Sequence, residues 1–211
     1  YKSILIQQEA PTMPVGSKEL RPHRLHVGLF DIQGEKLTRR TSVELDVAGA
    51  LTEVTALAGQ KVADLVLIND KDQTYAKLRF DNRSIATMKS HLGKLDDSLA
   101  RGLIWASLWD SCRDGELSTS DYVAIALNAL KTESDISIVA ATYLQFETAI
   151  WAYANPAKRD ALRTQVADAT AAMLANAAPG SDHQMQFARA FANNAITPAH
   201  MEKLKEILNG S

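Results

Sequence analysis

The spacing of hydrophobic and polar positions changes once along the chain. From Tyr1 to about Phe80 it has period two. Ile4 and Ile6 alternate with Leu5 and Gln7. In "RLHVGLFD", Leu25, Val27 and Leu29 fall on one face and His26, Gly28 and Phe30 on the other. After "QGEK", Val43, Leu45 and Val47 alternate with Glu44 and Asp46. Successive strand side chains point to opposite sides of a sheet, so this pattern predicts half-buried strands. Gly34 in the short polar link predicts a hairpin. "ADLVLIND" and "TYAKLRF" read as a second pair joined around Asn69, Asp70, Lys71 and Asp72, and "APTMPVGSK", with two prolines and a glycine, reads as a loop. Antiparallel strands separated by turn signals point to a β-sandwich.

From Asp81 onward the period is that of helices. Ile85, Met88 and Leu92 open an amphipathic stretch, and "DSLARGLIWASLWDSC" is apolar almost all round, as expected of a helix buried on several sides. Ser118 followed three residues later by Asp121 resembles a capping box. Val139, Tyr143, Phe146, Ile150 and Tyr153 recur at spacings of four, three, four and three. Asn155-Pro156 and Thr197-Pro198 each place a capping residue before a proline at the first helical position. Between them a long alanine-rich helix runs to a stop at Pro179-Gly180. Helices joined by short polar links are antiparallel neighbours, and stacked helical hairpins build a solenoid. The expected fold is multi-domain, all-β then all-α: an antiparallel β-sandwich over residues 1–80, then a solenoid-like (HEAT/ARM-like) α-helical array over 81–211.

Composition narrows the function. The 211 residues carry a formal net charge of −2, so no global field favours nucleic acid or anionic lipid. The one cysteine, Cys112, lies in an apolar run and reads as a buried thiol, which fits a reducing compartment. No apolar run reaches the roughly 20 residues a bilayer requires, and "YKSILIQQE" lacks the form of a signal peptide. These features predict a cytoplasmic protein.

The search for catalytic or ligand-binding groups selects none. His23 and His26, three apart on a strand, point to opposite faces and cannot share one ion. His91, His183 and His200 are scattered over different helices, and His200-x-Glu202 has no chelating spacing. No His-Glu-x-x-His, Gly-x-Ser-x-Gly or phosphate-binding glycine loop occurs. Glu9, Asp31, Asp46 and Asp70 read as solvated carboxylates in links or on polar strand faces. Lys36, Arg39 and Arg40 read as a solvated edge that discourages strand pairing. Trp105 and Trp109, four apart, read as core packing. The expected sets of catalytic, cofactor-binding and metal-binding residues are therefore all empty.

Several stretches nevertheless resemble one family in order. "LRPHRLHVGLFD" followed by "TSVELDV" is similar to the β-sandwich domain of aminopeptidase N-type zinc metallopeptidases. "ADLVLINDKDQTYAKLRFD" resembles that domain's last hairpin, and "LARGLIWASLWDSCRDGELSTSDYV" resembles the opening of the helical C-terminal domain in its actinobacterial form. The family's Gly-x-Met-x-Asn and zinc-binding motifs sit in an earlier catalytic domain and are absent here. The resemblance thus implies an excised C-terminal piece, inactive alone, whose zinc belongs to the parent enzyme. In such an enzyme the sandwich is a spacer, the helices form a lid and chamber over the active site, and the partners are the catalytic domain of the same polypeptide and peptide substrates. Truncation of the helical array would leave Met201, Leu204 and Ile207 on an exposed apolar strip. Two other readings are a stand-alone helical-repeat module that binds proteins, and a small hydrolase assembled from scattered residues.

Overall fold

The computed structural model describes residues 1–10 and 18–210, so the loop expected over "APTMPVGSK" falls largely outside the described residues. Five strands precede seven α-helices among the described residues. All-β then all-α is therefore the observed order. The chain divides into two compact units, Tyr1–Ile104 and Trp105–Ser211.

In the first unit β1 (Leu5–Gln7) pairs with β4 (Leu51–Glu53), and β3 (Lys36–Val47), β2 (His23–Gln33) and β5 (Leu65–Asp70) form a three-stranded sheet in the order β3-β2-β5. The three strand–strand pairings are antiparallel, and Leu37 of β3 also makes an isolated parallel bridge to Leu95. Gln33 pairs with Lys36, leaving a two-residue turn in which Gly34 has φ +62°. A positive φ at that position is what a tight hairpin turn asks for, and glycine adopts it without strain. One core cluster joins Ile6 of β1, Leu25, Val27 and Leu29 of β2, Val47 of β3 and Val54 beyond β4. The face assigned to Leu25, Val27 and Leu29 is thus correct.

Two expectations fail here. First, "TYAKLRF" forms no strand, and β5 pairs with β2 instead. Asn69, Lys71 and Asp72 take positive φ of 60°, 80° and 54°. The Asn69 side-chain oxygen accepts the backbone N–H groups of Gln73 (2.9 Å) and Thr74 (3.0 Å), and its amide nitrogen donates to Thr74 O (2.7 Å). The N–H of Thr74, the first residue of that stretch, is thus consumed inside the turn. Second, the sheet is not half-buried. Gly28, Phe30, Leu65 and Leu67, on the face opposite the first core, are also buried. Helix α1 (Asn82–His91) packs against β5, and the following 3₁₀ turn, Leu92–Lys94, packs against β3. Side chains of α1 also satisfy the outer edge of β5: Val66 N donates to Ser84 Oγ (3.0 Å), and Thr87 Oγ1 donates to Asp64 O (2.6 Å). Strict alternation records one buried face; it is silent about a helix that later folds over the other.

Helix α2 (Ser98–Arg113) spans the division between the units. The second unit continues with α3 (Thr119–Leu130), α4 (Ile136–Thr148), a π turn (Ala149–Tyr153), α5 (Arg159–Asn176), α6 (Asp182–Asn194) and α7 (Pro198–Leu208). The sequence reading leaves the α6 stretch without an element. Ser118 caps α3 by accepting Asp121 N (3.0 Å), but the Asp121 carboxylate accepts the Ser118 hydroxyl (2.9 Å), and that bond takes the place of the reciprocal half of a capping box. Asn155 and Thr197 cap as the sequence predicts. Val139, Tyr143, Phe146 and Ile150 are buried in the spacing expected, whereas Tyr153 is exposed. The π turn widens the helix between Ile150 and Tyr153 and rotates the last position off the buried stripe. Tyr122 lies against Trp109 (5.6 Å between ring centroids) and Phe146 (6.1 Å), and Tyr143 against Phe146 and Phe187 (5.7 and 6.3 Å). Ala167, Phe191 and Ala195 form a further cluster, onto which Leu204 of α7 packs. Met201 and Ile207 are exposed as expected, but Leu204 is partly buried and is not part of a free strip.

Candidate functional site

A buried polar cluster of the first unit lies on the second face of the sheet, where Gly28 makes room for it. A Cβ at Gly28 would sit 2.6 Å from Asp70 Oδ2 and 2.8 Å from Phe30 Cε2. Asp70 is 0% exposed and ends β5. Its Oδ1 accepts Arg39 Nη2 (2.7 Å), and its Oδ2 accepts both Arg39 Nε (2.9 Å) and Ser42 Oγ (2.8 Å). The Arg39 guanidinium stands 5.0 Å over the Phe30 ring and also donates to Asp97 Oδ2 (2.6 Å). Asp97 in turn caps α2 by accepting Ala100 N at 3.0 Å. A single guanidinium thus connects three strands to the first turn of a helix.

Strand irregularities set this geometry. Leu29 pairs with Thr41 and Phe30 with Arg39, so Arg40 is an extra residue in β3. His26 pairs with Asp70 and Val27 with Ile68, so Asn69 is an extra residue in β5. Such bulges re-aim side chains locally. Here they accompany the meeting of Arg39 and Asp70 from strands that are not themselves neighbours. Hydrogen bonding to Asp70, opposed by burial, keeps the Arg39 pKa above its ordinary value. Burial pushes Asp97 upward, but the Ala100 N–H and the Arg39 guanidinium outweigh it and hold this carboxyl below its usual range.

Chemically, the cluster is closed. Both Asp70 oxygens are filled by charged or hydroxyl donors, so the carboxylate is a poor candidate for a general base. Nearby, Arg40 donates to Asp31 Oδ2 (2.6 Å) and to Lys61 O (2.6 Å), while Asp31 Oδ1 is buried without a hydrogen-bond partner among the described residues, and Lys36 pairs with Asp96 (3.1 Å) at the surface. The expected solvated edge is therefore a row of ion pairs. Asp31 and Asp70, expected in solvent, are buried. Asp46 pairs with Arg24 at the surface, and Glu9 accepts from Gln7.

The histidines are engaged separately. His23 Nδ1 lies 2.6 Å from Thr74 Oγ1, and His26 Nδ1 lies 2.6 Å from Gln73 Oε1, so both rings meet the loop after β5. His91 Nδ1 lies 2.8 Å from Ser90 Oγ. His183 Nε2 lies 3.2 Å from Glu133 O. His200 is buried in the cap of α7, with Nδ1 facing the Ile196 and Thr197 N–H groups (3.3 and 3.5 Å) and Nε2 2.8 Å from Asp168 Oδ1. Since Nδ1 accepts, the proton sits on Nε2 and is donated to Asp168. Among the described residues no three His, Cys, Asp or Glu side chains converge in a way that could hold a metal ion.

In the second unit Trp105 is buried and its Nε1 donates to Glu133 Oε2 (3.4 Å), while Trp109 packs between Tyr122 and Tyr153. Burial raises the Cys112 thiol above its ordinary pKa, against a hydrogen bond with Thr119. A groove of about 600 Å³ lies between the ends of α5, α6 and α7, with Leu174, Met185 and Ile207 among its walls. Among the described residues no helix is long and apolar enough to cross a membrane.

Sequence reasoning missed Asp97 and Ser42, and it misread Arg39 and Asp70. The available signal was Gly28, a residue without a side chain in the middle of an otherwise well-formed strand, which marks close approach of another group.

Comparison with known proteins places this architecture. Over 213 aligned residues the chain is 46% identical to the aminopeptidase N of Streptomyces lividans; the match covers 99% of this chain and 25% of that protein. The chain thus spans about a quarter of the length of its curated relative. The model of the ERAP1-like C-terminal domain matches residues 65–211, from the start of β5 through the helices. The chain belongs to the ERAP1-like C-terminal domain family.

Proposed function

We propose that this chain is the non-catalytic C-terminal portion of a zinc-dependent aminopeptidase that removes N-terminal residues from peptides in the cytoplasm. The observation that carries this reading is the 46% identity sustained over 99% of the chain against one quarter of an aminopeptidase N. The strands, residues 1–80, act as a β-sandwich spacer. The helices, residues 81–211, are part of a solenoid-like lid that walls a chamber over the active site and admits peptides by size. The zinc and the reacting groups lie in the catalytic domain of the same polypeptide, which is this chain's partner. The closed ion-pair cluster around Asp70 suits the spacer role, because it ties sheet to helix without leaving a proton-transfer group free.

A chimera tests the proposal. Substituting this chain for the matching quarter of the Streptomyces lividans aminopeptidase N should retain cleavage of short peptides and exclusion of folded substrates. A chimera that folds, binds zinc and cleaves amino-terminal residues from folded proteins as fast as from peptides would refute the lid.

A further inference from the structure

Trp151 lies 50% exposed in the π turn that closes α4. Two guanidinium groups stand over its ring, with Arg159 Cζ 5.6 Å and Arg163 Cζ 5.4 Å from the centroid. These arginines are four apart in α5 and share one face. Each is anchored through one nitrogen to a backbone carbonyl: Arg159 Nη2 donates to Trp151 O (2.8 Å) and Arg163 Nη2 to Asn193 O (3.2 Å). Among the described residues no carboxylate pairs with either of them, whereas Arg24, Arg39, Arg40, Arg83 and Arg113 all have acidic partners.

We infer that Trp151, Arg159 and Arg163 form a docking site for an acidic peptide segment, with a carboxylate held by the guanidinium groups and an apolar side chain on the indole. Two like charges held over one ring repel each other, and an anion placed between them turns that repulsion into attraction. Guanidinium planes match carboxylates in two-pronged geometry, and stacked tryptophan and arginine are the residues that dominate binding energy at protein interfaces. The backbone anchors hold both arginines in place before a ligand arrives, which lowers the entropy lost on binding. The net charge of −2 gives no general attraction for anions, so capture is local and weakened by salt. This inference is independent of the aminopeptidase reading.

The 211-residue chain would be titrated with an N-acetylated peptide of alternating Glu and Leu and with its Gln-for-Glu analogue, following the Trp151 indole N–H resonance. The acidic peptide should shift that resonance and bind at least about tenfold more tightly than the analogue, the worth of one charge-assisted contact. Arg163→Gln should lose the same factor of about ten, and Arg163→Lys, which keeps the charge but not the planar fork, should recover only part of it. If Arg163→Gln changes the circular dichroism, Arg159→Gln serves instead and should weaken binding of the acidic peptide by a similar factor. Equal affinity for the two peptides, no effect of the substitutions, or no Trp151 shift at millimolar peptide would overturn the inference. So would tighter binding of a single-stranded oligonucleotide at the same resonances.

Discussion

Replacing Arg39 by methionine removes the only cation, among the described residues, that pairs with a carboxylate having no access to solvent. Asp70 would keep the Ser42 hydroxyl and lose three contacts' worth of compensation: two guanidinium bonds and the charge itself. Removing one partner of a buried ion pair costs roughly 3–5 kcal/mol. Arg39 is 28% exposed on its side chain, so water can enter part of the vacated space, and a range of about 2–4 kcal/mol is the better expectation. Lys36→Met on the same strand is the control. That pair is 67% and 80% exposed and should cost less than about 1 kcal/mol. All three tryptophans, Trp105, Trp109 and Trp151, lie in the second unit, so fluorescence would not report the sheet. Amide hydrogen exchange of β2 and β3 would: a loss of that size accelerates exchange roughly 30- to 700-fold in the globally protected amides. Asp70→Asn in the Arg39→Met background should restore part of the loss, since an amide is cheaper to bury alone than a carboxylate. If Arg39→Met slows or leaves unchanged the exchange of β2 and β3, or if the double variant is no better than the single, the buried-pair argument is wrong.

Other expectations use the same geometry. Gly28→Ala places a methyl 2.6 Å from Asp70 Oδ2 and should cost about 1–3 kcal/mol in sheet protection, whereas Gly102→Ala in α2 meets nothing within 4 Å and should stabilise its helix by roughly 0.5–1 kcal/mol in urea titrations. His200→Ala removes the reciprocal cap of α7 and the Asp168 contact; it should cost about 1–2 kcal/mol and loosen α7 amides before those of α5. Asp97 has a folded-state pKa below its unfolded value of about 3.9, so its stabilising contribution is complete above that pH and lost as pH falls through the lower folded value. Acid titration followed by exchange at the start of α2 should therefore show loosening below about pH 4, and Asp97→Asn should lack that acid-dependent component.

Much of this fold is legible in the pattern of residues, and the parts that are not have identifiable causes. Leu25, Val27 and Leu29 alternate because they fill one core, and Gly34 turns the hairpin because a tight link needs its positive φ. Asn155 and Thr197 announce helices through local chemistry that tertiary packing does not override. What escapes is non-local. Arg39, Asp70 and Asp97 lie far apart in sequence and come together only after two bulges and a helix are in place, so each reads by itself as an ordinary surface charge. Tyr153 fits a helical stripe on paper and leaves it because a π turn adds a residue to the helical turn there. The Trp151 cluster is split in the same way across two elements, with the ring on the π turn and both arginines on α5.

On the proposed reading, the polar side chains of this chain maintain its architecture and cleavage chemistry resides elsewhere in a longer polypeptide. Its most direct test is the hydrolysis of aminoacyl anilides by the purified chain after incubation with zinc and removal of excess metal, with bound metal quantified in the same sample. The expected result is no retained zinc and no anilide release above buffer. One zinc per chain accompanied by turnover would contradict it.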